Sequence, residues 1–593
     1  MMISLSSNRL RLILGGISGA VAMLAIWQMT TKPFWGYWGM ALMLGLWFSL
    51  LAVAAPRIWK AGESSRMFLL SVGSGVALWL GFPDMPFFPM LFIAFVPLIQ
   101  IESELKGQRR SLRRLVFYAF NTFFLWNVLS TFWVINTAFV AGIFANVVNA
   151  GLMVIPLAGY HLLRRSIGDR FRWASLISFW MVFEWVHLHW DLTWPFLNLG
   201  NAFAEWPALI QWYEVTGGFG GTLWMWGGNI LVFLVYRQWR ESSTSVGWRA
   251  WLPLAIWLFG PIAWSLVLYW QWKPAGTPVE VAVVQPNYEP HYEKFDIPQE
   301  VQYQRYRALA RSVLTPETRF LVFPETSFGQ FDLNQIDGQP IIRDLKQLLD
   351  SFPQCALITG LDPYRFLSPG EKSPAQRAFI RPGQDTLWWE AYNMAAQLAS
   401  GETDQFYIKG KLVPGAEIFP FRKLLFFMEP LVDQLGGSLE GLRRSDERAA
   451  FRHQGMAIGP VICYESVFGA YCNGYVHQGA QALAIITNDG WWDDTPGHRQ
   501  HLRFGALRAI ENRRDIIRSA NTGISCLIDQ RGGIHLSQDY GKTAAFRGQI
   551  YLNSETTVYN RWGDVLARMA IFLAIMFVAY AGITLLKARF ISS

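Results

Sequence analysis

The sequence predicts a membrane protein in three parts: an α-helical transmembrane bundle over residues 1–272, an extracytoplasmic α/β domain over 273–562, and a transmembrane helix with a short tail over 563–593. Three observations support this reading. Hydrophobic residues make up 52% of the 593, with 29 Trp and a mean hydropathy of +0.20, an excess that soluble enzymes do not carry. Apolar runs of bilayer-crossing length crowd the N-terminal half and recur once near the C-terminus. Between them, short β-rich runs alternate with helical ones, the pattern of a layered α/β domain.

The apolar runs fall at 12–29, 36–55, 67–82, 88–101, 115–137, 140–162, 173–190, 218–236, 251–270 and 569–586, judged against the ~20 residues that cross a bilayer. That gives about nine spans before the hydrophilic domain and one after it. The fourth run is short, and the linker from Gly81 to Pro86 leaves open whether the third and fourth both cross. The first run lacks the small-residue cleavage site of a signal peptide and is expected to stay. The net charge of +8 is topological and does not indicate nucleic acid. Lys and Arg gather between the runs, at Arg57 and Arg66, at Lys106 to Arg114, at Arg164 to Arg172 and at Arg237 to Arg249, whereas the alternate loops near 30–35, 83–87, 138 and 191–217 hold only Lys32. A cytoplasmic N-terminus therefore puts the basic clusters inside and the hydrophilic domain outside.

The loop from Asp191 to Asn201, with Trp194, Pro195, Phe196 and Asn198, reads either as an interfacial aromatic anchor or as a surface for a lipid or partner. Asn127, Asn136 and Asn149 read as amides bonding neighbouring helices or as functional groups.

In the hydrophilic part, strands are expected at Val279–Gln285, Arg319–Pro324, Ala356–Gly360, Gly459–Cys463, Ala482–Thr487, Ile524–Asp529 and Gly548–Leu552, and helices at Gln299–Leu314, Pro340–Phe352 and Arg499–Ser519. Ligands in such sheets sit at strand ends, and three ends bear reactive groups. Gly459 to Ser466 is a short apolar strand that stops at Cys463, followed by Tyr464 and Glu465. Leu321 to Ser327 puts Glu325 directly after a strand and a proline, and Phe406 to Glu417 puts Lys409 and Glu417 on a loop. A thiol of ordinary pKa ~8.5 is mostly protonated at neutral pH. A carboxylate is needed to take its proton, and an ammonium to favour negative charge on sulfur and substrate oxygen. Singly, each residue has a structural alternative: a buried core cysteine, a surface charge, a salt bridge.

The four cysteines have irregular spacing and make no disulfide framework. A Cys463–Cys472 bridge would consume the candidate nucleophile, and Cys355 and Cys526 lie in strand-like runs that suggest core. The nine histidines show no ligand spacing, so neither a metal nor another cofactor is expected.

FPET around Glu325, YxKxxLVPxxE around Lys409 and Glu417, and ICYE around Cys463 resemble the Glu–Lys–Cys signature of the nitrilase (carbon–nitrogen hydrolase) superfamily. Asn488-Asp489-Gly490-Trp491, the stretch from Arg508 to Arg514 and Asn521 to Ser525 resemble its later segments in order. That resemblance implies an αββα sandwich. Such a domain on a multi-span bundle, together with Trp194 to Gly200 and Tyr392-Asn393, resembles the apolipoprotein N-acyltransferase family. There are three departures. Lys411 to Glu417 reads KLVPGAE where the family has HLVPFGE, a family tryptophan is replaced near Lys294-Phe295, and the first two spans are additional.

The resemblance implies an enzyme of the bacterial inner membrane whose catalytic domain faces the periplasm. It implies acyl transfer from a phospholipid, phosphatidylethanolamine in the family, through a thioester on Cys463 to the α-amine of a diacylglyceryl-cysteine lipoprotein. Glu325 would be the base and Lys409 the oxyanion partner; Glu417, Glu465, Tyr464 and Asn393 would support them. The apolar, basic segment from Ile418 to Met428 reads as a mobile arm on the bilayer or as core. Two other functions fit less of the sequence. A membrane-tethered amidase or nitrilase would have little use for about ten spans, and a non-enzymatic binding module would need no free thiol.

Overall fold

The computed structural model describes residues 8–32, 34–58, 62–108, 110–241, 247–291, 293–294, 296–379, 386–421 and 441–592. Among the described residues, eleven α-helices precede the first strand: α1 (Asn8–Thr31), α2 (Trp38–Ile58), α3 (Gly62–Gly81), α4 (Val96–Leu105), α5 (Ser111–Thr131), α6 (Val134–Thr137), α7 (Phe139–Ile167), α8 (Arg172–His189), α9 (Tyr213–Thr216), α10 (Gly218–Glu241) and α11 (Leu252–Gln271). Each apolar run read from the sequence lies on helix. Six described segments are long and apolar enough to cross a membrane, at 11–31, 88–105, 139–167, 218–241, 252–271 and 565–587; the second is a 3-10 turn, Phe88–Phe92, leading into α4. The C-terminal helix Val565–Ser592 packs on α8 and α7, and α1 with α2 forms a hairpin.

The two ends of the bundle differ chemically. At one end, Arg66 pairs with Glu104, while Lys106 and Arg164 pair with Asp169. At the other, the loops offer carboxylates to arginines of the α/β half: Asp84 to Arg499, Glu205 to Arg503 and Glu214 to Arg513. The α1–α2 connection reaches the same end, where the Gly36 N–H donates to Asp493 at 3.1 Å. Asn136 donates there to the carbonyls of Gly36 and Trp492. Inside the bundle, the Asn149 amide donates to Asn127 at 2.7 Å, joining α7 to α5.

Among the described residues, the α/β half holds fifteen strands in two sheets. The first contains β1 (Thr277–Gln285), β2 (Thr318–Val322), β3 (Phe328–Asp332), β4 (Ala356–Phe366), β5 (Arg377–Phe379), β6 (Leu387–Ala391), β7 (Met394–Ala399), β8 (Gln405–Ile408) and β15 (Ala544–Leu552). Its main path runs β15-β1-β2-β4-β6-β5, with β1, β2 and β4 parallel. The second runs β14-β13-β12-β11-β10-β9, from β9 (Phe451–His453), β10 (Met456–Ile462), β11 (Ala482–Thr487), β12 (Ile516–Ala520), β13 (Cys526–Ile528) and β14 (Ile534–His535), with β10, β11 and β12 parallel.

Strand alternation sorts the core into layers. Val281, Val283, Phe320, Val322 and Ile358 cluster with Ile458, Val461 and Ile485 of the second sheet. Their neighbours Ala282, Val284, Leu321 and Leu357 cluster with Tyr303 and Tyr306 of α12 (Gln299–Val313) and Ile342 and Leu345 of α13 (Pro340–Asp350). Helices Gly469–His477 and Pro496–Asn512 pack against the second sheet. The helix expected at Arg499–Ser519 stops at Asn512, because Arg513 turns left-handed (φ +48°), and 516–520 is β12. Strands β3, β5 to β9 and β14 are short and were not legible.

Candidate active site

Three strand ends converge. β10 ends at Cys463, whose φ of +46° turns the chain sharply off the sheet. The thiol is thus raised at the edge of the second sheet, as in a strand-to-helix elbow. β2 ends before Pro324 and Glu325. Gly360 lets that turn approach: a Cβ there would lie 2.4 Å from the Thr326 nitrogen, and the Gly360 N–H donates to the Pro324 carbonyl at 3.1 Å. β8 ends before Lys409, whose N–H donates to the Asn393 carbonyl at 3.0 Å.

Lys409 is the centre of the cluster. Its Nζ donates to Glu325 Oε1 at 2.9 Å and to Glu417 Oε1 at 2.8 Å. Asn393 Nδ2 donates to the same two oxygens at 2.8 and 2.9 Å, so one amide and one ammonium hold two carboxylates. Glu325 Oε2 receives the Asn488 N–H at 3.1 Å, and Glu417 Oε2 receives the Val413 N–H at 2.8 Å. Lys409 is 1% exposed, Glu325 5% and Cys463 8%.

Burial works against the ionised forms of both partners, but each supplies what the other needs. Burial raises Glu325, yet Lys409, Asn393 and Lys294 outweigh it and hold the carboxyl below its ordinary range. Burial lowers Lys409, yet Glu325 and Glu417 keep it well above its own. Burial, with Glu325 adding to it, pushes Cys463 well above an ordinary thiol, while Lys409 pulls the other way. The resting site is therefore carboxylate, ammonium and neutral thiol.

Glu465 sits behind the elbow with no exposure. Its Oε1 accepts from the Tyr407 hydroxyl (2.6 Å) and the Gly410 N–H (2.7 Å), its Oε2 from the Ile462 N–H and the Tyr475 hydroxyl (both 2.8 Å). One carboxylate thereby ties the lysine loop to the cysteine strand. Tyr464 faces the bundle: its hydroxyl donates to the Thr193 carbonyl at 2.8 Å, and its ring stacks near Phe196. The 191–201 loop is accordingly not an exposed aromatic anchor: Thr193 and residues 195–197 are buried, while Asn198, Gly200 and Asn201 line a pocket beside α8 and α10. Phe196 is buried among Trp133, Trp492 and Phe504, at the joint between the bundle and the α/β half.

Other residues at the site were missed or given no role. Lys294, 6% exposed, donates from Nζ to the Glu325 carbonyl (3.3 Å) and to Thr326; burial lowers it to about 8. Its only sequence signal was its place where a family tryptophan is replaced. Thr487 favours the thiolate of Cys463 and donates to Asp489 at 2.6 Å. Asp489 in turn holds His501 (2.9 Å) and Arg518, and His501 Nε2 lies 3.0 Å from the Cys463 carbonyl. All four cysteines are free. Of the Ile418–Met428 segment, residues 422–428 lie outside the described residues; Phe421 donates its N–H to Asp191 at 3.2 Å.

Residues 74–231 match the family described as the apolipoprotein N-acyltransferase N-terminal domain, and residues 280–569 match carbon-nitrogen hydrolase. The chain belongs to the apolipoprotein N-acyltransferase family. Two curated proteins of that name span most of it. The Chlorobaculum tepidum protein is 26% identical over 86% of this chain and 95% of its own length, and the Geobacter metallireducens protein 27% identical over 85% and 92%. Among solved structures, an amidase from Nesterenkonia sp. covers 50% of this chain and 97% of its own at 15% identity, with a TM-score of 0.34. The chain is a membrane protein with a nitrilase-like α/β domain.

Proposed function

We propose that this protein is an apolipoprotein N-acyltransferase that moves an acyl chain from a phospholipid, through a thioester on Cys463, to the α-amine of a lipoprotein's diacylglyceryl-cysteine. Glu325 takes the thiol proton as sulfur attacks the ester carbonyl. Lys409, with a backbone N–H of the Cys463 elbow, holds the oxyanion. The ester C–O bond breaks and Glu325 returns the proton to the departing lysophospholipid alkoxide. In the second half the amine attacks the thioester, Glu325 takes a proton from nitrogen, and the C–S bond breaks to regenerate the thiol.

Glu417 and Asn393 position Lys409 and Glu325, Glu465 fixes the two loops, and Tyr464 docks the elbow on the bundle. The α/β half faces the periplasm across a bacterial inner membrane, because the basic clusters gather at the opposite end of the helices. A phosphatidylethanolamine donor remains part of this proposal.

The observation that carries the reading is the Tyr464–Thr193 contact, which seats the residue after the thiol on a loop between membrane helices. Trp133, Phe196 and Trp492 surround that seat with apolar surface. Apolar packing of this kind keeps water from one side of the elbow, as transfer in place of hydrolysis requires. The test supplies purified protein with a phospholipid labelled in its acyl chain and a diacylglyceryl-cysteine peptide. Label on the peptide α-amine supports the proposal, whereas release of labelled free fatty acid at an equal rate with and without peptide supports the hydrolase.

A further inference from the structure

Where α8 and α10 meet the α/β half, the structure has a half-open pocket of about 120 Å³ that the acyl-transfer steps do not use. It shares backbone with the candidate active site: Lys411 lies just beyond Lys409, and Val467 to Tyr471 follow the Cys463 elbow. Its lining includes Arg508, Glu511, Tyr559 and Asp564, together with Lys411 and Arg448.

The carboxylates are under-satisfied. Arg508 Nη2 donates to Glu511 Oε1 at 2.9 Å and the Gly218 N–H also favours this carboxylate, but among the described residues Glu511 Oε2 and Arg508 Nε have no hydrogen-bond partner, although Glu511 is 1% exposed and Arg508 2%. Asp564 receives only the Tyr559 hydroxyl, at 2.9 Å, as a direct side-chain donor among the described residues. A buried carboxylate oxygen without a donor is costly. Gly469 keeps the space open, since a Cβ there would lie 2.9 Å from Arg508 Nη1 and the Tyr559 oxygen and 3.0 Å from Glu511 Oε2. Burial raises Glu511 to about 7, with Asp564 adding to the rise, and also raises Asp564, so a cation would relieve both.

Lys411 and Arg448 have the opposite need. Burial lowers Lys411 and the charge of Arg448 adds to this, so an anion would relieve them. Both cations rest over aromatic rings: Lys411 Nζ lies 4.9 Å from Phe468 and the Arg448 guanidinium 4.2 Å from Tyr471. The lining thus holds two carboxylates and, besides Arg508, two further cations, Lys411 and Arg448.

We infer that this pocket binds the head group of the phospholipid donor, a phosphate joined to a primary ammonium, with the ammonium at Glu511 and Asp564 and the phosphate at Lys411 and Arg448. This rests on the acyl-transfer reading and adds the site for the part of the donor that does not react. A primary ammonium has N–H groups for Glu511 Oε2; a quaternary one has none, and a glycerol head group brings no cation.

The first test uses the native protein and water-soluble head groups as inhibitors of acylation from phospholipid vesicles. Glycerophosphoethanolamine is expected to compete with the donor at concentrations at least about tenfold below glycerophosphocholine or glycerophosphoglycerol, the factor that one charge-assisted hydrogen bond supplies. Equal inhibition by all three overturns the inference. In a second test, Glu511→Gln is expected to raise KM for an ethanolamine-headed donor about tenfold while KM for a glycerol-headed donor moves less than about twofold. A parallel rise, or no change, overturns it. If that variant fails to fold, the competition result decides alone. Acylation of Cys463 in the native protein by an acyl ester without a head group reports on the acyl-transfer reading separately.

Discussion

Replacing Lys409 with Met tests the electrostatic core of the site. The ammonium is one of three donors to Glu325 and one of three to Glu417. Its loss leaves Glu325, 5% exposed, with only an amide and a backbone N–H. Breaking a buried pair in this way costs about 3–5 kcal/mol when the stranded charge must stay ionised. The sign of the pH dependence follows from Glu325. In the native protein its carboxyl is held low, so its stabilising contribution is present above the unfolded value and fades as pH falls through the lower folded value. In the variant burial is no longer outweighed, the folded value rises, and stability falls as pH rises through it. Unfolding in detergent, followed by Trp fluorescence, is therefore expected to show a larger deficit at pH 8 than at pH 5. Adding Glu325→Gln to Lys409→Met is expected to restore part of the loss at pH 8. An equal deficit at both pH values, together with no rescue by the second substitution, would refute the reasoning.

Glu325→Gln alone removes a negative charge that raises the Cys463 thiol. Iodoacetamide is expected to alkylate Cys463 faster in that variant at fixed pH, while acyl transfer is lost; slower alkylation contradicts the assigned electrostatics. Glu465→Gln strands at least one of the groups donating to Oε1 and Oε2, and chemical unfolding is expected to show a loss of about 2 kcal/mol with slower acylation of Cys463. Lys294, lowered to about 8, sheds its proton within the working range and with it part of the field holding Glu325 down. The pH–rate profile is expected to bend near pH 8 in the native enzyme and to lose that bend in Lys294→Gln. Gly200→Ala would set a Cβ 1.9 Å from the Gly218 carbonyl oxygen, and expression trials are expected to yield little folded protein.

Much of the arrangement was readable because its signals are local. β10, β11 and the parallel strand before Glu325 are continuous apolar runs buried on both faces, and the spans are longer still. Glu325, Lys409 and Cys463 stand out because each interrupts such a run with a reactive group. What stayed hidden depends on distant contacts. The left-handed turn at Arg513, which ends a helix and frees β12, follows no local stop residue. The burial of Phe196 under the α/β half is fixed by Trp133 and Phe504, far away in the chain. Lys294 looked like an ordinary loop lysine, and only the fold brings it to the Glu325 carbonyl.

The central claim is that the Cys463 sulfur carries the acyl chain. The most direct measurement incubates the native protein with a phospholipid of one defined acyl chain and no acceptor, then maps adducts by mass spectrometry of its cysteine peptides. The account predicts that chain's mass on the Cys463 peptide alone, removable by hydroxylamine, with Cys355, Cys472 and Cys526 unmodified because none of the three has any exposed surface whereas Cys463 is 8% exposed. An adduct on any of those three, or acyl transfer that persists in Cys463→Ser, would contradict it.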